Sequence, residues 1–486
     1  KNSLSAIVNI TLTISSATCI VDRVEIKTES AVSSKVYRRF PWDTGGVLRA
    51  FDALSSGPYR RFWLGSIASV GSTQLYFVGM AWLIFELSDS ALDLGLLGAA
   101  TAVPTILATL VGGLVADRIN RRSVLILTTA TSAVLLLILA VLDATELVRV
   151  WHVLLISALL GLVQGFDFPS RSSIFPALIE PKQMMSAVAL NSILWQGSRM
   201  IFPAIGGLLI ALTDTSLIFV MCGIGFITMV MVLFSIELEQ IIQDKTDPWQ
   251  EFKDGVRYVL HQRLFLTLIM LTWISMFFGT SFVQIMPIFA DILHSGERGY
   301  GLLISATGLG SVAGNLFISH FQQSRRLGLL MLSCAAMAPF SLAGFSLVTG
   351  TLANAAGAFW LACFFAVLAS AFSSVFLVSS MTVLQLKVLY NLRGRVMGIH
   401  SITFSMIALG GLASGALATK FSAPVAVVLG AVVVLLSVIW VTIRQGKKSV
   451  LMAVNYEHVQ NQINNFNIWK IFADELNLKQ VITQTV

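Results

Sequence analysis

Twelve apolar runs of about 20 residues or more follow one another between Phe62 and Ile443, and a helix that crosses a bilayer needs a run of about that length. Apolar residues make up 56% of the chain and charged residues only 12%, about half the charged share of a typical soluble domain. A soluble helical bundle can bury one such run, but twelve in succession are typical of membrane proteins. The sequence therefore predicts an all-α membrane protein with twelve transmembrane helices.

Basic residues mark alternate loops of this predicted topology. One set of loops carries Arg60, Arg61, Arg118, Arg121, Arg122, Arg171, Lys182, Arg325, Arg326, Lys387, Arg393 and Arg395. The opposite loops carry mainly acids, namely Glu86, Asp89, Asp93, Asp143, Glu146 and Asp291. Because loops rich in arginine and lysine stay in the cytoplasm, we predict a multi-pass protein of the cytoplasmic (inner) membrane with both termini inside. The positive charges are spread over many loops, so they do not indicate nucleic-acid binding.

An internal repeat predicts two halves. The segment Gly95–Thr101 opens helix 2, and the similar segment Gly301–Thr307 opens helix 8. The pair Gly206-Gly207 in helix 5 recurs as Gly410-Gly411 in helix 11 at nearly the same spacing. Two repeats in the same helix order indicate two pseudo-symmetric six-helix bundles, the arrangement from which secondary transporters build alternating access.

The predicted bundles are joined by a polar linker, in which Asp247-Pro248 predicts the start of an amphipathic helix on the cytoplasmic surface. A solvated linker with incidental apolar residues is the alternative. The predicted organisation is a disordered extension (1–58), the N-terminal bundle (59–236), the linker (237–263), the C-terminal bundle (264–443) and a cytoplasmic tail (444–486).

A charged decapeptide lies between helices 2 and 3 at residues 113–122, with the sequence Gly-Leu-Val-Ala-Asp-Arg-Ile-Asn-Arg-Arg. It resembles the loop between helices 2 and 3 in transporters of the major facilitator superfamily, whose pattern is G-x-x-x-D-R-x-G-R-R. Asn120 stands where that pattern has glycine, and we expect it to keep the left-handed turn, which asparagine tolerates. The resemblance implies the twelve-helix major facilitator fold.

In the resembled family this loop latches the two halves together on the cytoplasmic side. A carboxylate is disfavoured at the C-terminal end of helix 2, so Asp117 is expected to contact the start of helix 11, where backbone amides and two guanidinium groups are available. Gly113 would let helices 2 and 11 approach, and Arg118 and Arg121 would pair with Asp167. The alternative is that these charges only mark a cytoplasmic loop. The predicted latch residues are Gly113, Asp117, Arg118, Arg121, Arg122, Asp167, Arg171, Arg393 and Arg395.

Two further motifs narrow the resemblance. The sequence Asp167-Phe168-Pro169-Ser170-Arg171 lies at the end of helix 4, and Leu392-Arg393-Gly394-Arg395-Val396-Met397-Gly398 precedes helix 11. Together they are similar to the branch of the superfamily that contains siderophore, drug and macrolide exporters. The resemblance runs from about Arg60 to Ile443 and indicates the branch but not the cargo.

Helix 5 resembles a variant of the Gly-Pro-x-x-Gly-Gly stretch of exporters, with Phe202 in place of the first glycine. Pro203 frees a backbone carbonyl, and Gly206 and Gly207 allow tight packing, so these residues are predicted to bend the helix. Arg199 lies in the same helix. A guanidinium inside a span costs several kcal/mol unless it faces protein or a wet cavity, so we predict that Arg199 attracts an anionic or catecholate-like group. A structural ion pair or a snorkelling side chain is the alternative.

Polar and aromatic residues near the middle of several helices are candidates for a substrate cavity, and we expect fewer than half of them to be real contacts. Packing in the core or against lipid is the alternative for each aromatic residue. The candidates are Gln74, Phe77, Gln164, Trp195, Arg199, Trp273, Phe277 and Gln284.

The sequence also limits the chemistry. It has no Walker-type glycine loop, and its histidines and cysteines form no catalytic or metal-binding pattern, so we predict a protein that is not an enzyme and has neither cofactor nor metal. We predict a monomeric antiporter that exports a small amphipathic molecule, such as a siderophore or drug, on the proton gradient. Asp167 is the best coupling candidate in the sequence. An importer or facilitator of a metabolite on the same fold is the first alternative. A membrane enzyme or a receptor is the second.

Overall fold

A computed structural model describes residues 51–116, 120–236, 248–321, 327–388 and 392–452. Within these ranges the chain is helical and no β-strand is found. Twelve helices are long and apolar enough to cross a membrane, so the predicted all-α fold with twelve spans is confirmed. Residues 1–50 of the predicted disordered extension and most of the predicted tail lie outside these ranges, as do residues 117–119 of the latch loop. The end of the extension is described and is helical at Asp52–Ser55 and from Gly57.

The N-terminal half contains spans 1 to 6, which are the helices Gly57–Ser88, Ala91–Ala116, Arg121–Ala144, Val150–Ile174, Met184–Leu212 and Thr215–Phe234. Short 3-10 helices lie at Asp52–Ser55, Phe175–Leu178 and Pro181–Gln183. Asn120 is the N-cap of span 3, where its side chain accepts a hydrogen bond from the Arg122 backbone N–H. Its φ of −57° corrects the expected left-handed turn: the side-chain cap stabilises the helix start instead.

The C-terminal half contains two broken helices and four continuous ones. Span 7 begins as the α-helix Arg263–Ile274, continues through a π-helical turn and a 3-10 turn, and ends as Met286–Ile292. Span 11 consists of Arg393–Ser401 and Thr403–Lys420. In span 7 the π-helical turn is Ser275–Thr280 and the 3-10 turn is Ser281–Ile285. Spans 8, 9, 10 and 12 are the helices Gly296–Ser319, Leu327–Thr351, Ala358–Lys387 and Ala423–Met452. The linker between the halves contains the helix Pro248–His261.

Both halves use one packing pattern. Span 2 packs on span 4 as span 8 packs on span 10, span 3 packs on span 6 as span 9 packs on span 12, and span 1 packs on span 5 as span 7 packs on span 11. The odd-numbered spans run in one direction and the even-numbered spans in the other. We call the end with Glu86, Asp143 and Glu297 the acidic end, and the end with Arg122 and Lys387 the basic end.

The surface of the molecule is apolar, and small polar groups lie inside. Leu107, Leu127 and Met231 are more than half exposed on the outer faces of their helices, which is a stable arrangement only in lipid. The Thr272 and Ser380 hydroxyls, in contrast, are fully buried and share a hydrogen bond of 3.0 Å. Small hydroxyl residues of this kind allow close helix approach in a bilayer.

Candidate functional site

The two halves meet near the acidic end at two helix crossings lined by glycine. Span 2 crosses span 11 where Gly95 faces Gly411, and span 8 crosses span 5 where Gly301 faces Gly207. A methyl group on Gly95 would come within 2.7 Å of the Gly411 carbonyl oxygen, and one on Gly207 within 2.7 Å of the Gly301 Cα atom. A side chain does not fit at that distance from backbone, so both crossings need glycine. The four segments of the internal repeat therefore contact one another here.

An aromatic pair closes the same end between spans 1 and 8. The Trp82 indole stacks on the Tyr300 ring with the centroids 5.6 Å apart and the planes at 26°. Both side chains are buried, and Trp82 Nε1 donates a hydrogen bond of 2.6 Å to Glu86 Oε1. Stacked rings and close-packed backbones thus hold the halves together at the acidic end.

A cleft opens between the halves towards the basic end. Arg199 of span 5 packs through its backbone on Gly308 of span 8. Ser192 and Val188 lie about two and three turns further towards the basic end on the same face of span 5, and both are exposed. Ser319 is exposed on the corresponding face of span 8. Spans 5 and 8 are in contact at Gly308, and the same two helix faces are exposed further towards the basic end. The two halves therefore diverge in that direction.

Arg199 lies at the closed head of this cleft. Its neighbours on the helix face are Phe202, whose ring fills the space beside Gly71 of span 1, and Pro203, whose carbonyl contacts Gly301 of span 8. Arg199 therefore lies at the seam between spans 1 and 8. Its side chain is half-buried and makes no hydrogen bond or ion pair with any residue that the structure describes. A guanidinium held this way has free donors for an anionic ligand.

Spans 1 and 4 carry the two glutamine candidates of the N-terminal half, Gln74 and Gln164. Gln164 Nε2 donates a hydrogen bond of 3.1 Å to the hydroxyl of Tyr76, a buried residue that the sequence prediction did not include. Gln74 is half-buried two residues before Tyr76, and the neighbouring Phe77 is 40% exposed, with its ring 4.7 Å from that of Tyr76. Of the predicted cavity residues in these two spans, Gln164 is thus fixed by a partner and Phe77 is the most open.

The C-terminal half places its candidates where span 7 is broken. Phe277 lies in the π-helical turn, and its backbone packs directly on Gly410 of span 11. Gln284 lies in the 3-10 turn between Gly411 and Gly98 of span 2, so it is at the junction of the two halves. Trp273, just before the turn, has a buried Nε1 without a partner in the described part of the chain. Irregular turns of this kind are frequent at functional sites in membrane helices.

Trp195 belongs to a different cavity. Its ring meets Phe168 edge-on at 6.3 Å, and both line a cavity of about 50 Å³ between spans 1, 4 and 5 near the basic end. Arg171 and Tyr59 line it as well. The structure therefore does not bring all eight cavity candidates together; Arg199 and Gln284 lie at the junction of the halves, whereas Trp195 lies inside the N-terminal half.

Several predicted latch residues form contacts within the N-terminal half. Arg171 Nε pairs with Asp167 Oδ2 at 3.1 Å, and its Nη1 donates to the Ser69 and Ser66 hydroxyls at 3.1 and 3.3 Å. Arg122 donates to the Leu233 and Phe234 carbonyl oxygens at the end of span 6, at 3.0 and 3.2 Å. These bonds tie span 4 to span 1 and span 3 to span 6 at the basic end.

The remaining latch residues are only partly described. Asp117 and Arg118 lie outside the described residues, as do the surroundings of Gly113 and the side chain of Arg393. Arg121 begins span 3, and Arg395 lies against Gly255 of the linker helix. The contact of Asp117 with the start of span 11 stays a prediction.

Trp82, Tyr300 and Tyr76 were missed by the sequence analysis. The four-residue spacing of Trp82 and Glu86 was a signal, since such pairs face each other on a helix. Tyr300 directly precedes the repeat glycine Gly301, but its partner is on another span and no local pattern indicates it. No cluster of three or more metal-ligating side chains was found in the described ranges.

Twelve apolar spans in two similar halves, with a cleft that opens at one end, define a membrane transporter of the major facilitator type. Solved structures with this fold include a mutant of the nucleoside transporter NupG, with a TM-score of 0.64, 12% identity and coverage of 82% of this chain and 99% of that one. A bacterial homologue of the iron transporter ferroportin in an inward-facing state has a TM-score of 0.62 at 14% identity, with coverage of 82% and 98%. These similarities show the fold alone.

Residues 49–466 match the family described as transmembrane secretion effector, and the chain belongs to that family. The enterobactin exporter EntS of Shigella boydii serotype 18 is 28% identical over 283 residues, which are 56% of this chain and 66% of EntS. The MFS-type transporter YfiS of Bacillus subtilis (strain 168) is 25% identical over 208 residues, 42% of this chain and 49% of YfiS. The chain thus spans 49% to 66% of the length of these relatives. The predicted superfamily is confirmed, and with it a transporter rather than an enzyme.

Proposed function

We propose that this transporter exports a small amphipathic molecule with an anionic or catecholate-like group, that it acts as a monomer, and that proton entry drives it. The cargo enters the cleft from the basic end, which faces the cytoplasm in the cytoplasmic membrane. The halves then rock until the two glycine crossings separate and the cleft opens at the acidic end. The charge asymmetry of the two ends supports this orientation, and the EntS relatives support export.

The unpaired guanidinium of Arg199 is the observation that carries the proposal. It is half-buried at the head of the cleft and has no protein partner within the described ranges. Leaving a charged group without a partner in a low-dielectric site is costly, and a hydrogen bond to a charged group contributes about 1.5–3 kcal/mol. An anionic cargo therefore gains binding free energy at Arg199 that a neutral or cationic molecule does not gain.

The latch belongs to the same proposal. When the cleft closes at the basic end, Asp117 would contact the start of span 11, as in the resembled family. The anchored arginines Arg122 and Arg171 support this, because they hold the ends of spans 3 and 4 in place beside the loop. The loop would then have a fixed base from which to reach the other half.

Uptake into inverted membrane vesicles tests the function. The probes are enterobactin, the cargo named for EntS, and the lipophilic cation tetraphenylphosphonium. We expect enterobactin to accumulate when the vesicle interior is acidic, and accumulation to stop when a protonophore removes the gradient. Accumulation only in right-side-out vesicles would mean import, and accumulation that ignores the gradient would rule out proton drive.

Arg199→Ala tests the binding site in the same vesicles. The loss of a charge-assisted hydrogen bond should raise the KM for enterobactin by roughly tenfold to 100-fold without raising the KM for tetraphenylphosphonium. Arg257→Ala on the exposed face of the linker helix is the control, and it should leave both values unchanged. If Arg199→Ala prevents membrane insertion, the residue is structural and the binding role is rejected.

A further inference from the structure

Asn315 lies on the face of span 8 that lines the cleft. It is seven residues after Gly308 and four residues before the exposed Ser319, so the three residues share one face of the helix. Gly308 packs on the Arg199 backbone at the closed head of the cleft, and beyond it this face diverges from span 5. Asn315 is half-buried, which places it in the wall of the cleft near its head.

The side of span 8 that faces lipid lies elsewhere on the helix. Leu302, Leu309 and Leu316 are all exposed and recur every seven residues, so they form one apolar stripe along the span. The stripe is exposed at the acidic end as well, where the halves are closed, so it faces the bilayer. Asn315 is about 100° around the helix from Leu316. The exposed part of its side chain is therefore turned to the cleft.

Span 10 holds the Asn315 amide in one orientation. Ser374 Oγ donates a hydrogen bond of 2.5 Å to Asn315 Oδ1 and lies 3.3 Å from the Ser311 carbonyl oxygen. The packing of Gly314 on the Ala371 backbone keeps the two spans close at this level. The bond occupies the amide oxygen and leaves the two N–H groups of Nδ2. These donors have no acceptor among the residues that the structure describes.

Arg199 and Asn315 face the same stretch of the cleft from opposite halves. Gly308 marks the level of Arg199, and Asn315 lies about 10 Å further along the axis of span 8. Side chains leave a helix tilted towards its N-terminus. Because span 5 begins at the basic end and span 8 at the acidic end, the Arg199 and Asn315 side chains lean towards each other.

Both residues offer donors, and their surroundings in the C-terminal half offer no charged acceptor. Span 8 has no charged residue between Gly299 and Ser319, and span 10 has none between Ala358 and Leu386. Guanidinium and amide N–H groups are both satisfied by oxygen acceptors. A molecule that fits the two carries an anionic oxygen group for Arg199 and a second oxygen acceptor nearby for Asn315.

We propose that Asn315 is the cargo-binding residue of the C-terminal half, an inference that rests on the proposed binding of an anionic cargo at Arg199. Nδ2 of Asn315 donates a hydrogen bond to a phenolic, carbonyl or carboxylate oxygen of the cargo, and Ser374 keeps the amide oriented. Cargo that contacts both residues connects the two halves across the cleft. This connection favours the approach of spans 5 and 8 beyond Gly308, which closes the basic end.

Protection of Ser192 from labelling measures the binding. The four native cysteines are replaced by alanine, and Ser192→Cys, across the cleft from Asn315, reacts with a bulky, charged maleimide in purified protein. Enterobactin is the probe, and the measured quantity is its concentration that halves the labelling rate. Asn315→Ala removes both N–H donors and should raise this concentration about fivefold or more. An unchanged concentration in Asn315→Ala overturns the proposal.

Ser374→Ala is the matched control, because it breaks the same bond between spans 8 and 10 but leaves the Asn315 donors in place. It should raise the half-protecting concentration by no more than about twofold. If Ser374→Ala weakens protection as much as Asn315→Ala, the amide only ties the two spans together and the proposal is overturned.

Asn315→Asp is the second variant if Asn315→Ala does not insert. It keeps an oxygen for the Ser374 hydroxyl and places another oxygen where the donors were, so it should raise the half-protecting concentration about fivefold or more as well. Protection at the native concentration in Asn315→Asp, or failure of both variants to insert, rejects the binding role.

The native protein separates this inference from the proposed function. If enterobactin neither protects Ser192→Cys with Asn315 present nor accumulates in inverted vesicles, the proposed cargo fails and the role of Asn315 fails with it. If enterobactin protects the native residue and Asn315→Ala at the same concentration, the anionic cargo stands and only the assignment of Asn315 fails.

Discussion

Replacing Gly207 by alanine tests whether the glycine crossings hold the acidic end closed. The added methyl group would come within 2.7 Å of Gly301 Cα and 2.9 Å of Gly301 N. Both are backbone atoms, so no side-chain rotation can relieve the overlap. Alanine also raises the helix propensity of span 5 by about 1 kcal/mol, but that gain is present in every conformation and cancels in a comparison between them.

The expected magnitude follows from the overlap. Overpacking a tight contact costs about 1–3 kcal/mol, and the cost applies only to the state in which spans 5 and 8 touch. The ratio of that state to the state open at the acidic end should therefore fall by about fivefold to about 150-fold.

The ratio is measured at a fixed pH in protein whose four native cysteines are replaced by alanine. The measured quantity is the rate at which a bulky, charged maleimide labels Ser192→Cys, an exposed position of the cleft. The labelling rate should fall in Gly207→Ala, while membrane insertion and the amount of folded protein stay unchanged. Gly197→Ala on the same helix is the matched control, because a methyl group there has no neighbour within 4 Å. If Gly207→Ala labels at the same rate as Gly197→Ala, the crossing tolerates a side chain and the reasoning from close backbone contact is refuted.

Two further predictions concern charged residues at the basic end. Asp117→Asn should insert normally but transport far less enterobactin in inverted vesicles, because the latch loses its charge; native flux from this variant would contradict the latch. Asp167→Asn leaves the buried Arg171 without its carboxylate and should destabilise the folded protein by about 3 kcal/mol, seen as a lower Tm in detergent. Glu180→Gln removes the partner of the largely exposed Lys182 and should change stability by less than about 1 kcal/mol. An equal Tm for both variants would show that burial of the Arg171 pair is energetically unimportant.

Local sequence patterns predicted the fold because they depend on one segment at a time. Each apolar run needed only its own length and composition to be identified as a span, and the repeat of Gly95–Thr101 at Gly301–Thr307 indicated the two halves. Arg199 was selected because a charge inside a span is costly wherever its partners are. The predicted left-handed conformation of Asn120 was wrong, because its side chain caps the start of span 3 instead.

The site itself depended on contacts between distant segments. Sequence placed Trp195 with the cavity residues because it is an aromatic residue near the middle of helix 5, but it lines a cavity between spans 1, 4 and 5. It also ranked Asp167 first among the coupling candidates. In the structure Asp167 is already bound by Arg171, which no pattern along the chain distinguished from a free carboxylate. Whether a polar side chain has a partner is decided across helices, and no spacing along one helix reveals it.

The sequence by itself determined a twelve-span membrane chain with two related halves and an inequality of charge between its ends, because apolar length and loop charge are properties of single segments. The tertiary structure alone decided which repeats meet, that Gly95 contacts Gly411 and Gly301 contacts Gly207, and which end is closed. Helix faces in a bilayer are all apolar, so hydrophobicity does not choose between partners. That choice is made by backbone fit and by the polar atoms that each contact satisfies or leaves free.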